Sequence, residues 1–313
     1  EPLVDSFEKR QAVAVTLAQS YDDWALAQLA KDLGKVQDYE YFSKTAKNYQ
    51  NLYWKEKGFF MPKDAAGNWI DIDPKFDGGM GGRDYYDENN GWTYLWNVQQ
   101  DVLGLQKLMG GRDTFEARLD QMFREDLGRS VYALNAKFPD FTGIVGQFSM
   151  GNEPSFHIPY LYNLTKSPWK AQKRIRMLLN TWFKDNIFGI PGDEDGGGMT
   201  AFVVFTAMGL YPVTPGEPYY NITSPLFEKT TINLKNGKTS TGMIRASNSS
   251  SITIVRAENQ TEVIPQDQIE ELQSTGQSLM PDGLEKNVSI EEMTDLLRFL
   301  KDWRYLDGKT PKG

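Results

Sequence analysis

Residues 190–205, IPGDEDGGGMTAFVVF, contain the acidic side chains Asp193, Glu194 and Asp195, followed by glycines and an apolar run. Alternate residues of an extended segment point the same way, so we expect Asp193 and Asp195 to face together and Glu194 to point elsewhere. Because neighbouring carboxylates raise the pKa of at least one of them, such a pair can act as a general base or as metal ligands. The alternative is a solvated acidic turn, or an anchor for the dipole of a helix that begins near Met199.

The segment MGNEPSFHIPYLYN, residues 150–163, carries a second set of oxygen donors. Asn152 offers an amide and Glu153 a carboxylate, and both suit calcium or sugar hydroxyls. Since Pro154 restricts the backbone here, these two side chains could equally cap the helix that follows. We keep His157 as a candidate substrate contact, although a histidine in a helix is more often a satisfied structural residue.

Glu88 lies in DENNGWTYLWNVQQDV, residues 87–102, at the end of a loop rich in Asp, Gly and Asn that starts at Gly58. A carboxyl group beside aromatic surface is desolvated and its pKa rises, which is what protonation of a glycosidic oxygen requires. The aromatic residues Trp92 and Trp96 follow, and aromatic rings stack on sugar faces. Because they are four residues apart, the alternative is that they form one core-facing stripe of a helix.

The composition excludes several kinds of chemistry. The chain has 313 residues, no cysteine, a single histidine and a formal net charge of −8. Disulfides, thiol catalysis, cysteine zinc sites and haem attached through C-x-x-C-H are therefore excluded, and catalysis must use carboxylates, with a hard oxygen-liganded ion such as Ca²⁺ where a metal takes part. The negative charge argues against a nucleic-acid partner. No apolar run of about 18 residues is present, so we expect no membrane span.

Apolar residues recur at helical spacing near the N-terminus, where we predict two antiparallel helices between Asp5 and Tyr53. Further helices are predicted at 92–109, 114–123, 157–162, 168–184 and 199–210. Repeated helix pairs at this pitch suit a barrel of paired helices with its loops at one end. After Tyr211, β-branched runs predict strands at TTINL, TGMIRAS and SSITIVRA, and the tail predicts an amphipathic helix with Ser289 as N-cap and Glu292 closing a capping box.

Carboxylates on separate loops, with aromatic neighbours and without cysteine or a phosphate loop, together indicate glycoside hydrolysis. The segments GNEPSFHIPYLYN, SPWKAQKRIRMLLNTWF, GIPGDEDGGGMTAFVVFTAMGLYPVTPG and SPLFEK closely resemble the catalytic domain of glycoside hydrolase family 92. The resemblance covers residues 1–234 and implies a bacterial, calcium-dependent, inverting, exo-acting α-mannosidase. It also implies a partial (α/α)6 barrel at 1–234. Together with the strands and the helix predicted after Tyr211, this gives a mainly α chain in which a small β-rich segment and a C-terminal helix at 235–313 follow the barrel.

The resemblance further implies roles for the residues that match the family's motifs. Glu88 in ENNGW takes the position of the general acid, and Asp193 and Asp195 in GDEDGGG match the pair from which the family draws its general base. Inversion predicts that the acid and base carboxyls stand roughly 6.5–9.5 Å apart. The expected contacts to a mannose-containing glycan, such as an N-glycan, are Asn152, Glu153, His157 and Trp92. The expected Ca²⁺ ligands are Asn152, Glu153 and Asp195.

The chain also departs from the family pattern. An N-terminal β-sandwich domain and the start of the barrel are expected before Glu1, so a second hypothesis is a carbohydrate-binding remnant that holds mannose without cleaving it. Met150 and Gly151 stand where α-1,2-specific members carry His-Glu, which argues against α-1,2 specificity. Residues 237–313 resemble the C-terminal part of haem-binding modules of planctomycete-type bacteria, which suggests a third hypothesis of electron transfer, but without cysteine we expect no haem. Family members act in the periplasm or outside the cell, where we expect this protein.

Overall fold

The computed structural model describes residues 11–76, 84–138, 140–217, 219–227, 230–234, 239–247, 251–255, 260–274 and 289. The chain divides into two compact units, Glu1–Pro168 with Leu178–Ala201, and Trp169–Met177 with Phe202–Gly313. The described helices are α1 (Ala12–Asp32), α2 (Val36–Thr45), α3 (Gly91–Tyr94), α4 (Val102–Leu108), α5 (Arg112–Met122), α6 (Val131–Lys137), α7 (Trp169–Trp182) and α8 (Gly198–Met208). Short 3-10 helices lie at Asn48–Leu52, Gln99–Asp101, Glu153–Ser155, Ile158–Leu164, Asp195–Gly197 and Gln266–Gln268.

Two-residue strands form antiparallel pairs along the helical part of the chain, and longer strands form one sheet. The pairs are β1 (Tyr53–Trp54) with β2 (Phe59–Phe60), β3 (Ile144–Val145) with β4 (Phe148–Ser149), and β5 (Leu210–Tyr211) with β6 (Asn221–Ile222). The sheet contains β7 (Thr230–Leu234), β8 (Thr239–Ser247), β9 (Ser251–Val255), β10 (Thr261–Pro265) and β11 (Ile269–Ser274).

The first two helices form the predicted helical hairpin. Buried residues recur every three or four positions along α1, among them Val13, Leu17 and Ala27, so one face of the helix is apolar. The helix ends at Gly34, whose φ of +67° is accessible to glycine at no steric cost. The amide of Gly34 donates to the Lys31 carbonyl, and the amide of Lys35 donates to the Ala30 carbonyl at 2.8 Å. These two bonds form a Schellman motif, which stops α1 and turns the chain into α2.

The helix predicted at 92–109 is wrong, because the chain there is broken into α3, a 3-10 turn and α4. Val98, at φ −137° and ψ 47°, lies outside the helical region. Asp101, at φ −143° and ψ 55°, also leaves that region, and its carboxylate accepts the amide of Gly104 at 2.9 Å as the N-cap of α4. A capping side chain offers the backbone hydrogen bonds other than those of a continuous helix, and at Asp101 the chain forms these bonds. The break matters for the site because it ends α3 directly after the ENNGW motif.

The other predicted helices are present. The helices at 114–123, 168–184 and 199–210 correspond to α5, α7 and α8. The segment predicted as a helix at 157–162 is a 3-10 helix, Ile158–Leu164, which carries a proline in its first turn. Proline has no amide hydrogen to donate, and the tighter 3-10 turn is common in such short segments.

The core of the first unit lies behind α3. The Trp96 ring is fully buried and meets the Phe115 ring edge to face, with centroids 5.2 Å apart. Its indole nitrogen contacts the Met122 sulfur at 3.0 Å. The Phe123 ring stacks on Phe148 at 4.8 Å. These contacts pack the segment after α3 against α5 and the β3–β4 hairpin, so the loops that carry the candidate site start from a rigid base.

The β-rich part of the chain is larger than predicted. The three predicted strands are β7, β8 and β9, while β10 and β11 complete an antiparallel sheet in the order β10-β9-β8-β7-β11. Ile252, Ile254 and Ile264 are buried together on one side of it, and Ile269 packs against them. β7 pairs with β8 across the predicted boundary between residues 234 and 235, and that boundary stays a prediction.

The fold class is confirmed, since the chain is helix-rich and consistent with a partial (α/α)6 barrel followed by a β-rich segment. The predicted C-terminal helix lies outside the described residues. Of the helices that the structure describes, none combines the length and the apolar character that a bilayer crossing demands.

Candidate active site

The ENNGW segment is held by Asn90. The Asn90 side-chain oxygen accepts the amides of Trp92 and Thr93 at the start of α3, and its nitrogen donates to the Lys75 carbonyl at 3.0 Å and to the Gln147 side chain at 2.8 Å. With all these bonds made inside the protein, Asn90 is a structural cap. Glu88 lies two residues before it and is half-buried, so the cap fixes the backbone that presents this carboxylate.

The GNEPS segment leaves the β3–β4 hairpin and places Asn152 and Glu153 at the start of a 3-10 turn. Asn152 is 2% exposed, and its side-chain nitrogen has no hydrogen-bond partner among the described residues. Glu153 is half-buried. The predicted capping role of Asn152 is wrong, because its side chain makes no cap hydrogen bond to the turn. Its amide is therefore available to a ligand.

The residues of the acidic triplet have different surroundings. Glu194 accepts the amides of Gly197 at 2.6 Å and Thr200 at 3.0 Å. A hydrogen bond from the Thr200 side chain, followed by these amide bonds, lowers the pKa of the Glu194 carboxyl group. Glu194 is thus the anchor of the α8 N-terminus, whereas the predicted common facing of Asp193 and Asp195 stays a prediction. Asp195 has a left-handed φ of +50°, and Gly196 and Gly197 follow at +65° and +111°. Such a run of positive φ explains why the sequence uses glycine here.

Glu153 and Asp195 meet, although they are far apart in the sequence. The side chains of Glu153 and Asp195 are hydrogen-bonded, and Glu88 is near enough for its charge to act on Glu153. Burial raises the pKa of Glu153 to about 7, and the hydrogen bond that protonated Glu153 donates to Asp195 and the charges of Asp195 and Glu88 act in the same direction. A carboxyl pair in this state can share a proton or bind a cation. We call Glu88, Glu153 and Asp195 the carboxyl cluster.

Gly198 lets the two loops approach. A Cβ atom at Gly198 would lie 3.1 Å from a carboxylate oxygen of Glu153, which is a tight contact. The side chain of Glu153 therefore occupies space that any other residue at 198 would fill. Packing thus explains the last glycine of GDEDGGG, Gly198, whereas backbone conformation explains Gly196 and Gly197.

A second contact joins the same two loops through their backbones. The Thr142 hydroxyl donates to the Pro191 carbonyl at 3.1 Å, and the Gly151 amide donates to the Thr142 carbonyl at 3.1 Å. A Cβ atom at Gly151 would collide with the Thr142 hydroxyl and the Pro191 carbonyl, and one at Gly192 would collide with the Gly151 carbonyl. This junction of residues 142, 151, 191 and 192 connects the segment before Asn152 to the segment before Asp193, so it sets the geometry between the two loops.

The remaining predicted site residues have different surroundings. Asp193 is exposed, and no hydrogen bond or ion pair joins it to another described residue.

Trp92 is 2% exposed, and its ring meets Phe59 edge to face at 5.1 Å while the Arg118 guanidinium lies 4.7 Å from its centroid. The ring faces of Trp92 are therefore engaged by the protein, and its indole N–H is the part that has no partner among described residues. The predicted substrate contact through Trp92 stays a prediction.

His157 lies in the core. Its Nε2 is 2.7 Å from the Trp96 carbonyl, and burial lowers the pKa of the ring to about 4 against the opposing effect of this hydrogen bond. A neutral, buried ring bonded to a backbone carbonyl is suited to holding the segment after α3 against the 3-10 helix at 158–164. Its predicted contact with substrate also stays a prediction.

We predict that His157 makes the fold sensitive to mild acid. An unfolded histidine binds a proton below about pH 6.5, whereas the folded ring does so only near pH 4. Stability is therefore full above pH 6.5 and falls as the pH drops toward 4, by about 3 kcal/mol in total. Urea unfolding at pH 7.5, 6 and 5 measures this, with His157→Gln as the comparison. Because the chain has one histidine, parallel stability curves for the two proteins would contradict the prediction.

Sequence reasoning missed other residues that contribute buried polar groups. Asn89, Thr93 and Ser155 are fully buried, and their side chains have polar atoms without hydrogen-bond partners among the described residues. α3 and the 3-10 turn Glu153–Ser155 pack against each other, so these groups gather beside Asn152. Buried polar groups require a partner, which water, an ion or a substrate can supply. The sequence signal that could have identified them is their position, since Asn89 lies inside ENNGW, Thr93 directly follows it, and Ser155 ends NEPS.

The donor set suits a hard cation, although it is small. Among described residues there is no group of three or more His, Cys, Asp or Glu side chains that could hold a metal. The carboxyl groups of Glu153 and Asp195 form a pair. Asn152, whose side chain is buried, directly precedes Glu153 in the sequence. Oxygen donors of this kind, completed by water or by substrate hydroxyls, are those that Ca²⁺ prefers.

Comparison with known proteins shows which family the chain resembles. The model of the glycosyl hydrolase family 92 catalytic domain matches residues 2–278. An uncharacterized secreted glycosidase of Arthroderma benhamiae is 31% identical over 251 residues, which cover 74% of this chain and 30% of that protein. A family GH92 α-mannosidase structure from Bacteroides thetaiotaomicron is 35% identical, with a TM-score of 0.64 over 74% of this chain and 29% of the other.

Two further solved structures are similar. The same α-mannosidase in complex with mannoimidazole has a TM-score of 0.67 at 30% identity, over 84% of this chain and 34% of the other. A family GH92 inverting mannosidase from the same organism has a TM-score of 0.63 at 32% identity, over 86% and 36%. The chain thus spans about a third of the length of these relatives.

The family match also settles the origin of the β-rich segment. The predicted match ended at residue 234, but the family model extends to residue 278. It therefore includes residues 237–278, and the resemblance of that segment to haem-binding modules is not supported. The chain belongs to glycosyl hydrolase family 92, whose catalytic domain its residues 2–278 match.

Proposed function

We propose that the protein takes part in hydrolysis of terminal α-linked mannose from glycans. The observation that carries this proposal is the carboxyl cluster, in which two carboxyl groups share a hydrogen bond and a third lies close by. Neighbours of similar structure are named α-mannosidases, one of them inverting, and this supports the choice of mannose. An exo-acting, inverting reaction is part of the proposal.

The proposed chemistry divides between Glu88 and the acidic loop. Glu88 gives its proton to the departing glycosidic oxygen as the bond to the anomeric carbon breaks. Asp193 or Asp195 takes a proton from the water that attacks the opposite face of that carbon, so the sugar leaves with inverted configuration. After this single displacement Glu88 has lost a proton and the aspartate has gained one. Proton exchange with solvent restores both groups.

We propose that Asn152, Glu153 and Asp195 hold Ca²⁺. When bound there, the ion would polarise sugar hydroxyls and favour a flattened, oxocarbenium-like ring. Glu153 and Asp195 repel each other when both are ionised, and a cation removes that cost. The unpartnered Asn152 amide nitrogen is left free to donate to a sugar hydroxyl.

A location outside the cytoplasm is also proposed, in the periplasm or outside the cell. It is supported by the relative that is described as a secreted glycosidase. Mannose-rich chains, including N-glycans, are the proposed substrates, and a bacterial source is part of the proposal. A preceding β-sandwich domain is the proposed partner, in keeping with the larger size of the relatives.

Titration calorimetry with mannoimidazole tests the proposal on the 313-residue chain. We expect binding in the presence of Ca²⁺ and at least tenfold weaker binding after chelation, since the ion contributes directly to the sugar site. Proton NMR of an α-mannobiose digest then reports turnover, with β-mannose as the first product of an inverting enzyme. Calcium-dependent binding without turnover would favour the binding-remnant hypothesis, and absence of binding in both conditions would refute the sugar site.

A further inference from the structure

A separate cavity lies among α1, α2, the 3-10 turn at Asn48–Leu52 and the start of α4. Its volume is about 670 Å³, within the range of small-molecule sites. No residue of the carboxyl cluster lines it. The nearly buried side chains of Ala27 and Ala46 form part of its lining, and because these side chains are small, neighbouring helices leave a hollow between them.

One wall of this cavity is fixed by hydrogen bonds. The Asp101 carboxylate accepts the Tyr49 hydroxyl at 2.7 Å and the Gly104 amide at 2.9 Å. The Gln50 side chain donates to the Tyr49 hydroxyl at 3.3 Å. A Cβ atom at Gly104 would collide with the Tyr49 hydroxyl and the Asp101 carboxylate. Asp101 is thus committed to holding the wall, and glycine at 104 is needed for the close approach.

Other lining groups have no partner. Lys47 and Lys107 are exposed residues that line the cavity, and their side-chain ammonium groups make no ion pair or hydrogen bond with any described residue. The side-chain nitrogen and oxygen of Gln100 are buried and lack hydrogen-bond partners within the described part of the chain. Two lysines against one committed carboxylate leave a local excess of positive charge, although the chain carries a net charge of −8. Such a locally positive hollow favours an anion.

Aromatic side chains complete the lining. The Trp24 ring is half-buried and stacks on Tyr21, with centroids 5.6 Å apart and planes 13° from parallel. Tyr39 lines the same cavity and is 36% exposed. Rigid aromatic surface next to carboxamides and cations is suited to a ring that carries hydroxyls on its edge and one charged group.

We propose that this cavity binds a small anionic sugar, whose phosphate or carboxylate group lies against Lys47 and Lys107 while its hydroxyl groups bond to Gln100. The site is distinct from the carboxyl cluster and does not depend on mannoside hydrolysis. A phosphate ester and a uronic acid offer the same chemistry, an anion on a pyranose ring. Lysine binds either as a point charge, without the bidentate geometry that arginine would impose.

Titration calorimetry of the 313-residue chain with glucose 6-phosphate, glucuronate, glucose and inorganic phosphate tests this proposal. We expect at least one of the two anionic sugars to bind about tenfold or more tightly than glucose and than inorganic phosphate, as charge-assisted hydrogen bonds add to ring contacts. Lys47→Gln and Lys107→Gln should each weaken that binding, and the double variant should abolish it. Raised salt should weaken binding as well.

Lys31→Gln is the matched control, because Lys31 lies on α1 and does not line the cavity. It should leave binding of the anionic sugars unchanged. Binding that survives the double lysine variant, binding of glucose as tight as that of the anionic sugars, or binding of inorganic phosphate alone would each overturn the proposal. Absence of binding by both anionic sugars would do the same, and the relative affinity of the two identifies which anion the site prefers.

Discussion

Replacing Glu88 with Gln is expected to lower the rate of α-mannoside hydrolysis by about 10²–10⁴-fold, the usual contribution of a general acid. Glutamine keeps the shape of the side chain and its hydrogen-bonding capacity, but it cannot give a proton to the departing oxygen. Loss of the Glu88 charge also removes one of the influences that raise the pKa of Glu153. Because glutamine keeps the shape and the hydrogen bonds of the side chain, affinity for mannoimidazole should change far less than turnover.

The leaving group makes this prediction specific. A 4-nitrophenolate departs without protonation, so the loss should be much smaller with 4-nitrophenyl α-mannoside than with α-mannobiose. Steady-state rates with both substrates measure the difference, and Glu56→Gln, at an exposed position between β1 and β2, serves as the control. An equal loss with both substrates would mean that Glu88 supports the site in another way, and full activity would exclude it as the acid.

Replacing Gly151 with Ala is expected to destabilise the protein and to disconnect the two loops that carry the site. The φ of Gly151 lies outside the left-handed region, so alanine meets no conformational penalty there. Its Cβ atom would, however, collide with the Thr142 hydroxyl and the Pro191 carbonyl. Overpacking of this kind costs about 1–3 kcal/mol. Because relief requires residues 191–192 to move, Asp195 should lose its hydrogen bond with Glu153, and turnover should fall further than stability alone explains.

Thermal melting and steady-state rates of Gly151→Ala measure both effects. Gly67→Ala is the matched control, since its Cβ would meet nothing within 4 Å while its φ is +85°; it should cost roughly 1 kcal/mol of backbone strain and leave the rate unchanged. A melting temperature and a rate for Gly151→Ala equal to those of the wild type would show that the junction does not position the loops. A glutamate at 151, which the resemblance assigns to α-1,2-specific family members, would meet the same crowding. It would therefore require a different conformation of this loop.

Local features of the sequence were sufficient to predict much of the fold. The α1–α2 hairpin follows from apolar spacing and from Gly34, and the strands β7, β8 and β9 follow from their β-branched residues. The break at Val98 was not predictable from apolar spacing, because the aromatic residues on both sides of it fit a helical stripe. It depends on Asp101, whose carboxylate bonds to both Gly104 and Tyr49. The second of these contacts is tertiary.

The sequence by itself determined the kind of chemistry, since a chain without cysteine and with one histidine must work with carboxylates and oxygen-bound ions. It also offered an anchor for the α8 N-terminus as one interpretation of the acidic triplet, and the structure gives that role to Glu194. Only the tertiary structure decided that Glu153 pairs with Asp195 and not with Asp193, although both aspartates are exposed. That choice depends on how closely two loops approach, and the approach is set by contacts at Gly151 and Gly198 between segments that no local periodicity relates.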